Sequence, residues 1–99
     1  MVRLSDDEVR AALSEGLPGW SVHEGAIHKT FVFPGFRAAI AFIDRLAEAA
    51  IAARHHPDLE NHYNRVRVAL HTWDENAVTE KDVALAHRIE AASVFDGGG

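Results

Sequence analysis

One apolar stripe at helical spacing, with a proline on each side, constrains the fold more than any other feature. The stripe begins after Pro34-Gly35 and repeats at steps of three and four residues, as on the buried face of a helix. A residue before proline is pushed out of the helical region and proline cannot extend the ladder, so the helix must end near His56, before Pro57. The stripe consists of Phe36, Ala39, Ile40, Ile43, Ala47, Ala50 and Ile51. It predicts the main core helix.

A short helix and a hairpin are predicted before the core helix. Ser5-Asp6-Asp7-Glu8 has the spacing of a capping box, and apolar residues then recur at helical steps, which predicts a helix from about Asp6 to Glu15. Residues 16–19, Gly-Leu-Pro-Gly, break it. Two stretches that suit strands follow, Trp20–His23 and Ala26–Phe33, and they are joined by a tight turn.

A second hairpin and a third helix are predicted after Pro57. The segment Asp58–Thr72 suits two strands with Tyr63-Asn64-Arg65 as their turn. Thr79 and Asp82 have capping-box spacing and predict a helix from about Glu80 to Ser93. Alternation in the last strand divides its residues into a core face (Val66, Val68, Leu70) and an opposite face (Arg67, Ala69, His71, Trp73).

This element order predicts an α+β fold, a four-stranded antiparallel sheet with three helices packed on one face. Residues 1–96 are expected to form a single domain and residues 97–99 a flexible glycine tail. A domain of 99 residues buries only a modest part of its surface, so self-association is a natural source of further stability.

Composition excludes several classes of function. The chain has no cysteine, so thiolate nucleophiles, disulfides and zinc-thiolate sites are ruled out. A formal net charge of -5 opposes attraction to phosphate backbones, which argues against a nucleic-acid partner. The N-terminus lacks the apolar core of a signal peptide and no apolar run has membrane-spanning length. The expected location is therefore the cytoplasm, with no membrane partner.

Histidines carry the chemical signal, because four of the seven lie within seventeen positions: His55, His56, His62 and His71. His55 and His56 fall at the predicted end of the core helix, where a general acid would be well placed, although a histidine there can also simply cap free carbonyls. Asp82 is equally open to a capping role. The four histidines have no standard metal-ligand spacing, so no metal is expected.

His71 and Trp73 are predicted to share one strand face, roughly 7 Å apart by strand geometry. They could line one wall of a pocket. They could equally fill a subunit interface, where tryptophan is enriched.

One spaced set of residues resembles the signature of the pterin-4a-carbinolamine dehydratases. It consists of His55-His56-Pro57, then Tyr63 after five residues, Trp73 after nine more and Asp82 after eight more. The resemblance extends over roughly Leu4 to Ala92. It implies an α+β fold and a homodimer or homotetramer. It also implies a hydro-lyase, 4a-hydroxytetrahydrobiopterin dehydratase, which converts 4a-hydroxytetrahydropterin to quinonoid dihydropterin. Such an enzyme needs no metal and no organic cofactor. Such enzymes recycle the tetrahydropterin cofactor of aromatic amino-acid hydroxylases.

The resemblance also implies roles for individual residues. His55, His56 and Asp82 match the catalytic positions: one histidine transfers protons, the other contacts the pterin, and the carboxylate orients a histidine or the substrate. His56, Pro57, His71 and Trp73 are expected to bind the substrate.

Four positions, at three places in the chain, depart from the family pattern. Trp73 replaces the usual third histidine, and a tryptophan can stack on a flat ring but cannot transfer a proton. His71 is a candidate for the missing imidazole. Ile51 stands where the family favours a polar residue, and Asn76-Ala77 where many relatives carry two glycines. These departures keep open a catalytically silent oligomerisation or assembly factor, and a pterin-binding module without turnover.

Overall fold

The computed structural model describes residues 3–94 and shows the predicted order of three helices and four strands, so the predicted fold class is confirmed. The predicted glycine tail, residues 97–99, lies outside the described residues. The helices are α1 (Asp6–Leu13), α2 (Phe36–Ala53) and α3 (Glu80–Ser93), and the strands are β1 (Ser21–His23), β2 (Ala26–Val32), β3 (Asp58–His62) and β4 (Arg65–Leu70).

The four strands form one antiparallel sheet in the order β1-β2-β4-β3. The central pair runs from Ile27 opposite Leu70 to Val32 opposite Arg65. The predicted core face of β4 is confirmed, because Val66, Val68 and Leu70 are fully buried while Arg67 on the other face is exposed.

All three helices cover the same face of the sheet. One hydrophobic cluster joins the inner strand residues to side chains from every helix, so the core is a single layer between helices and sheet. The helical members of largest size are Val9 and Leu13 from α1, Phe42 and Leu46 from α2, and Leu85 and Ile89 from α3.

Both predicted capping boxes are present. At the start of α1, Glu8 N–H donates to Ser5 Oγ at 3.1 Å and Ser5 N–H donates to Glu8 Oε1 at 2.8 Å. At the start of α3, Thr79 N–H donates to Asp82 Oδ2 at 2.9 Å. These bonds satisfy amide groups that have no partner inside the helix, which fixes where each helix begins.

The end of α2 differs from the prediction, since the helix stops at Ala53 and not near His56. Arg54 adopts a left-handed conformation with φ 54°. Its N–H donates to Ile51 O and the N–H of His55 to Ala50 O, both at 3.1 Å, which is the pattern of a Schellman motif. Neither α2 nor any other helix within residues 3–94 combines the length and apolarity needed to cross a membrane.

The predicted course of the last strand is wrong beyond Leu70. Thr72 pairs with Ala77 in an isolated bridge, and residues 73–76 form a turn between them. The chain therefore leaves the sheet at the point where the alternating pattern suggested that it continued. Asn76 takes the left-handed conformation of this turn with φ 51°, and Ala77 does not, so the loop closes without strain at the alanine.

Candidate active site

His55 and Asp82 meet although 27 residues separate them in the chain. The left-handed turn at Arg54 directs His55 off the axis of α2, and the capping box places Asp82 in the first turn of α3. His55 Nε2 contacts Asp82 Oδ1. The Asp82 side chain is completely buried and that of His55 is 10% exposed. The structure thus joins two of the three residues that the family resemblance marks as catalytic.

Two threonines complete the surroundings of Asp82. Its second oxygen, Oδ2, accepts the N–H of Thr79 at 2.9 Å and the hydroxyl of Thr72 at 2.8 Å. The hydroxyl oxygens of Thr72 and Thr79 lie 2.7 Å apart, and both residues are buried. We call His55, Asp82, Thr72 and Thr79 the inner network.

The proton positions in the inner network follow from its geometry. With Asp82 as a carboxylate, which only accepts hydrogen bonds, this arrangement assigns the donor role to the Nε2–H tautomer of His55. This leaves Nδ1 of the same ring without a partner in the described chain. Among the buried and half-buried residues of the range 3–94, no side-chain nitrogen or oxygen is both buried and without a hydrogen-bond partner. Because Nδ1 has no partner, it is not buried and reaches solvent. In the His55 ring, Nδ1 is therefore accessible to solvent while Nε2 is hydrogen-bonded to Asp82.

The other predicted site residues lie nearer the surface. His56 is exposed and makes no hydrogen bond with the described chain, and Pro57 is half-buried at the entrance to β3. Pro57 leads into β3, whose first residue, Asp58, pairs with Ala69 of β4, two residues before His71. We call His56, Pro57, His71 and Trp73 the outer rim.

His71 and Trp73 contact each other, although not as two residues of one strand. Their ring centroids are 4.7 Å apart with the planes inclined at 53°, because Trp73 already belongs to the turn. The Trp73 side chain is 73% exposed. His71 lines a cavity of about 290 Å³ that also borders Gly25 and Asp58. An exposed indole beside a cavity can stack on a flat ligand.

Two predicted features stay apart from this site. His62 lies at the far end of β3, opposite Arg65 and 3.8 Å from Glu60. Ile51, one helical turn before His55, is 63% exposed and supplies no polar partner. Between residues 3 and 94, no group of three or more metal-ligating side chains stands together.

Thr72 was missed by reasoning from the sequence, although a signal was present. It continues the alternation of Val66, Val68 and Leu70 onto the core face, where a threonine needs a hydrogen-bond partner. Nothing in the sequence indicated the left-handed backbone of Arg54, since glycine is the usual residue there.

The pterin 4 alpha carbinolamine dehydratase family matches residues 2–92 of the chain. The chain belongs to this family. A relative from Thermomicrobium roseum, curated under the provisional name pterin-4-alpha-carbinolamine dehydratase, is 46% identical over 89 residues, which cover 90% of this chain and 95% of the relative. A relative from Chloroflexus aurantiacus with the same provisional name is 48% identical over 90 residues, covering 91% and 96%.

Two solved structures extend the comparison. The transcriptional coactivator/pterin dehydratase from Brucella melitensis is 37% identical with a TM-score of 0.89, covering 94% of this chain and 100% of that chain. A pterin dehydratase-like protein identified as a RuBisCO assembly factor in the alpha-carboxysome is 23% identical with a TM-score of 0.63, covering 75% and 86%. The second likeness shows the shared fold.

Proposed function

We propose that the chain dehydrates a 4a-hydroxytetrahydropterin to a quinonoid dihydropterin and that His55 transfers the protons. The observation that carries this proposal is the state of the His55 ring, with Nε2 held by the buried Asp82 and Nδ1 open to solvent. A general base must be held in one tautomer with its basic nitrogen accessible. Membership of the dehydratase family supplies the substrate class.

The reaction removes a hydroxyl from C4a and a proton from N5. The C4a–O bond breaks, the electron pair of the N5–H bond forms the N5=C4a double bond, and the oxygen leaves as water. Nδ1 of His55 accepts the N5 proton or returns a proton to the departing oxygen, since an imidazole can do both near neutral pH. Asp82 stabilises the charged ring while the proton resides there.

The outer rim binds and orients the pterin in this proposal. Trp73 offers an exposed indole face on which a flat ring can stack, and His71 offers a polar contact beside it. The exposed ring of His56 is the other polar group proposed for binding. His71 is also the candidate for the third imidazole that Trp73 replaces. Pro57 fixes the backbone after His56 and so limits where that ring can point.

A second function is a catalytically silent assembly or oligomerisation factor of the same fold. Exposed apolar side chains favour it, because Trp73 and Ile51 are 73% and 63% exposed, and Phe36 and Ile40 lie on α2 with 51% and 37% of their surface exposed. The same surface supports a homodimer or homotetramer. An assembly factor needs such a surface and no turnover.

Turnover of purified protein separates the two functions. The wild type should accelerate the dehydration of a 4a-hydroxytetrahydropterin above its spontaneous rate, followed by absorbance. His55→Ala and His56→Ala should each lower that rate roughly 10²-fold or more. His62→Ala, an exposed histidine outside the site, is the matched control and should leave the rate unchanged. A wild type that matches the spontaneous rate, or full activity in both variants, would eliminate the dehydratase proposal.

A further inference from the structure

Asp82 makes one hydrogen bond more than helix capping and contact with His55 require. The capping box uses the N–H of Thr79 on Oδ2, and the catalytic pair uses Oδ1. The hydroxyl of Thr72 adds a second donor on Oδ2 at 2.8 Å. We infer that Thr72 is a positioning residue, whose hydroxyl fixes the rotation of the Asp82 carboxylate and thereby the orientation of His55. The kinetic part of this inference rests on the proposed dehydratase function.

A carboxylate held by one amide can pivot, because the terminal torsion of an aspartate is broad. Donors on two sides of Oδ2 restrict that rotation. The restriction keeps Oδ1 directed at His55 Nε2, so the ring stays in the tautomer that leaves Nδ1 open. A small error in the position of a reacting group lowers the rate of chemistry strongly.

The hydrogen bonds of the Thr72 and Thr79 hydroxyls can run in only one direction, from Thr79 to Thr72 and from Thr72 to Asp82. Thr72 has a single hydroxyl proton and donates it to Asp82, so the bond of 2.7 Å between the two threonines must use the proton of Thr79. The Thr79 oxygen in turn accepts the N–H of Lys81 at 3.3 Å. Successive bonds in such a chain polarise one another, which strengthens the contact at its carboxylate end.

The backbone holds Thr72 in place independently of its side chain. Its N–H donates to Ala77 O at 2.9 Å and its carbonyl accepts the N–H of Ala77 at 3.4 Å. The same bridge closes the turn that carries Trp73. Removing only the hydroxyl should therefore disturb Asp82 and leave the outer rim where it is.

Thr72→Val removes the hydroxyl and keeps the branched shape, and Thr72→Ser keeps the hydroxyl. We expect kcat of Thr72→Val to fall on the order of tenfold with KM within about twofold, since outer partners that orient a catalytic group have effects of this size. Thr72→Ser should recover most of the rate. Thr30→Val, the same change at an exposed position of β2, is the matched control.

Nuclear magnetic resonance tests the positioning without turnover. The His55 Hε2 resonance should be protected from exchange in the wild type, Thr72→Ser and Thr30→Val, and should broaden or vanish in Thr72→Val. In the wild type and in Thr30→Val, the Thr72 hydroxyl proton should exchange slowly and show a nuclear Overhauser effect to the amide proton of Thr79, because both donate to Oδ2.

An unchanged His55 resonance in folded Thr72→Val, or a fast-exchanging Thr72 hydroxyl in the wild type, would overturn the positioning role. The absence of dehydration in the wild type would instead remove the proposed function and leave the resonance test intact. The two failures are therefore distinguishable.

Discussion

The inner network and the outer rim differ in how firmly the fold holds them. Asp82 is completely buried and both of its oxygens accept hydrogen bonds, whereas Trp73 is 73% exposed and His56 has no hydrogen-bond partner in the described chain. The group proposed for proton transfer is thus in place before substrate arrives, and the groups proposed for binding are free to adjust.

Asp82→Asn should produce the largest effect and tests the inner network. The amide must keep its oxygen on the donors of Thr79 and Thr72, so its nitrogen faces His55 and donates to Nε2. The histidine then has to carry its proton on Nδ1, which removes the open base. We expect a loss of turnover of about 10²-fold or more, with only about 1 kcal/mol less free energy of unfolding, measured by urea denaturation.

Glu80→Gln is the control for that variant, because Glu80 is another first-turn carboxylate of α3 and is exposed. It should keep full turnover. If Asp82→Asn loses much stability and turns over normally, Asp82 is a capping residue and the difference between network and rim has no catalytic meaning.

Substitutions of the two aromatic rings that contact each other at the outer rim, Trp73 and His71, should act on affinity. Trp73→Ala should raise KM about fivefold, because it removes one stacking contact of about 1 kcal/mol, and it should change kcat little. His71→Ala should also act mainly on KM, because the His71 side chain makes no hydrogen bond to the inner network. Steady-state kinetics over a range of pterin concentrations separates the two parameters.

The opposite result would move His71 into the catalytic group. In that case His71→Ala abolishes most of the turnover and Trp73→His restores it in the same chain, since a histidine at position 73 then supplies the imidazole. A wild type that is inactive until Trp73→His is introduced would favour the assembly factor.

Arg54→Gly should have the smallest effect and concerns the turn that directs His55 towards Asp82. The left-handed conformation costs an arginine about 1 to 2 kcal/mol, and glycine avoids this cost. Because glycine also increases the conformational entropy of the unfolded chain, we expect the free energy of unfolding to rise by only about 0.5 kcal/mol. Ala53→Gly, one residue earlier and still helical, should lose about 1 kcal/mol. Equal losses in both variants would show that the turn is not strained.

The sequence predicts those parts of the fold that local patterns control. Helix starts depend on capping residues such as Ser5 and Thr79, which bond to groups only a few residues away, and the stripe of α2 repeats every three or four residues. The helices and their order could therefore be predicted from the sequence. The early end of the last strand was not, because the alternation continues through Trp73 and only the bridge between Thr72 and Ala77 ends it.

The candidate site was predictable only in part for the same reason. His55 and Asp82 could be marked through the family resemblance, but no local pattern indicates that residues so far apart in the chain touch. The sequence assigned no role to Thr72, and the role proposed for it rests on its burial and on the hydrogen-bond partner that burial requires.

The use of one carboxylate for two purposes makes the site and the start of α3 a single cooperative unit. Asp82 closes the first turn of the helix and also holds the ring of His55, so fraying of that turn releases both at once. The amide protons of Thr79 and Lys81 should therefore exchange with solvent at the rate at which His55 loses its anchor. Native-state hydrogen exchange at these two amides would measure how often the resting protein visits a state in which the proposed catalytic base, His55, is not held by Asp82.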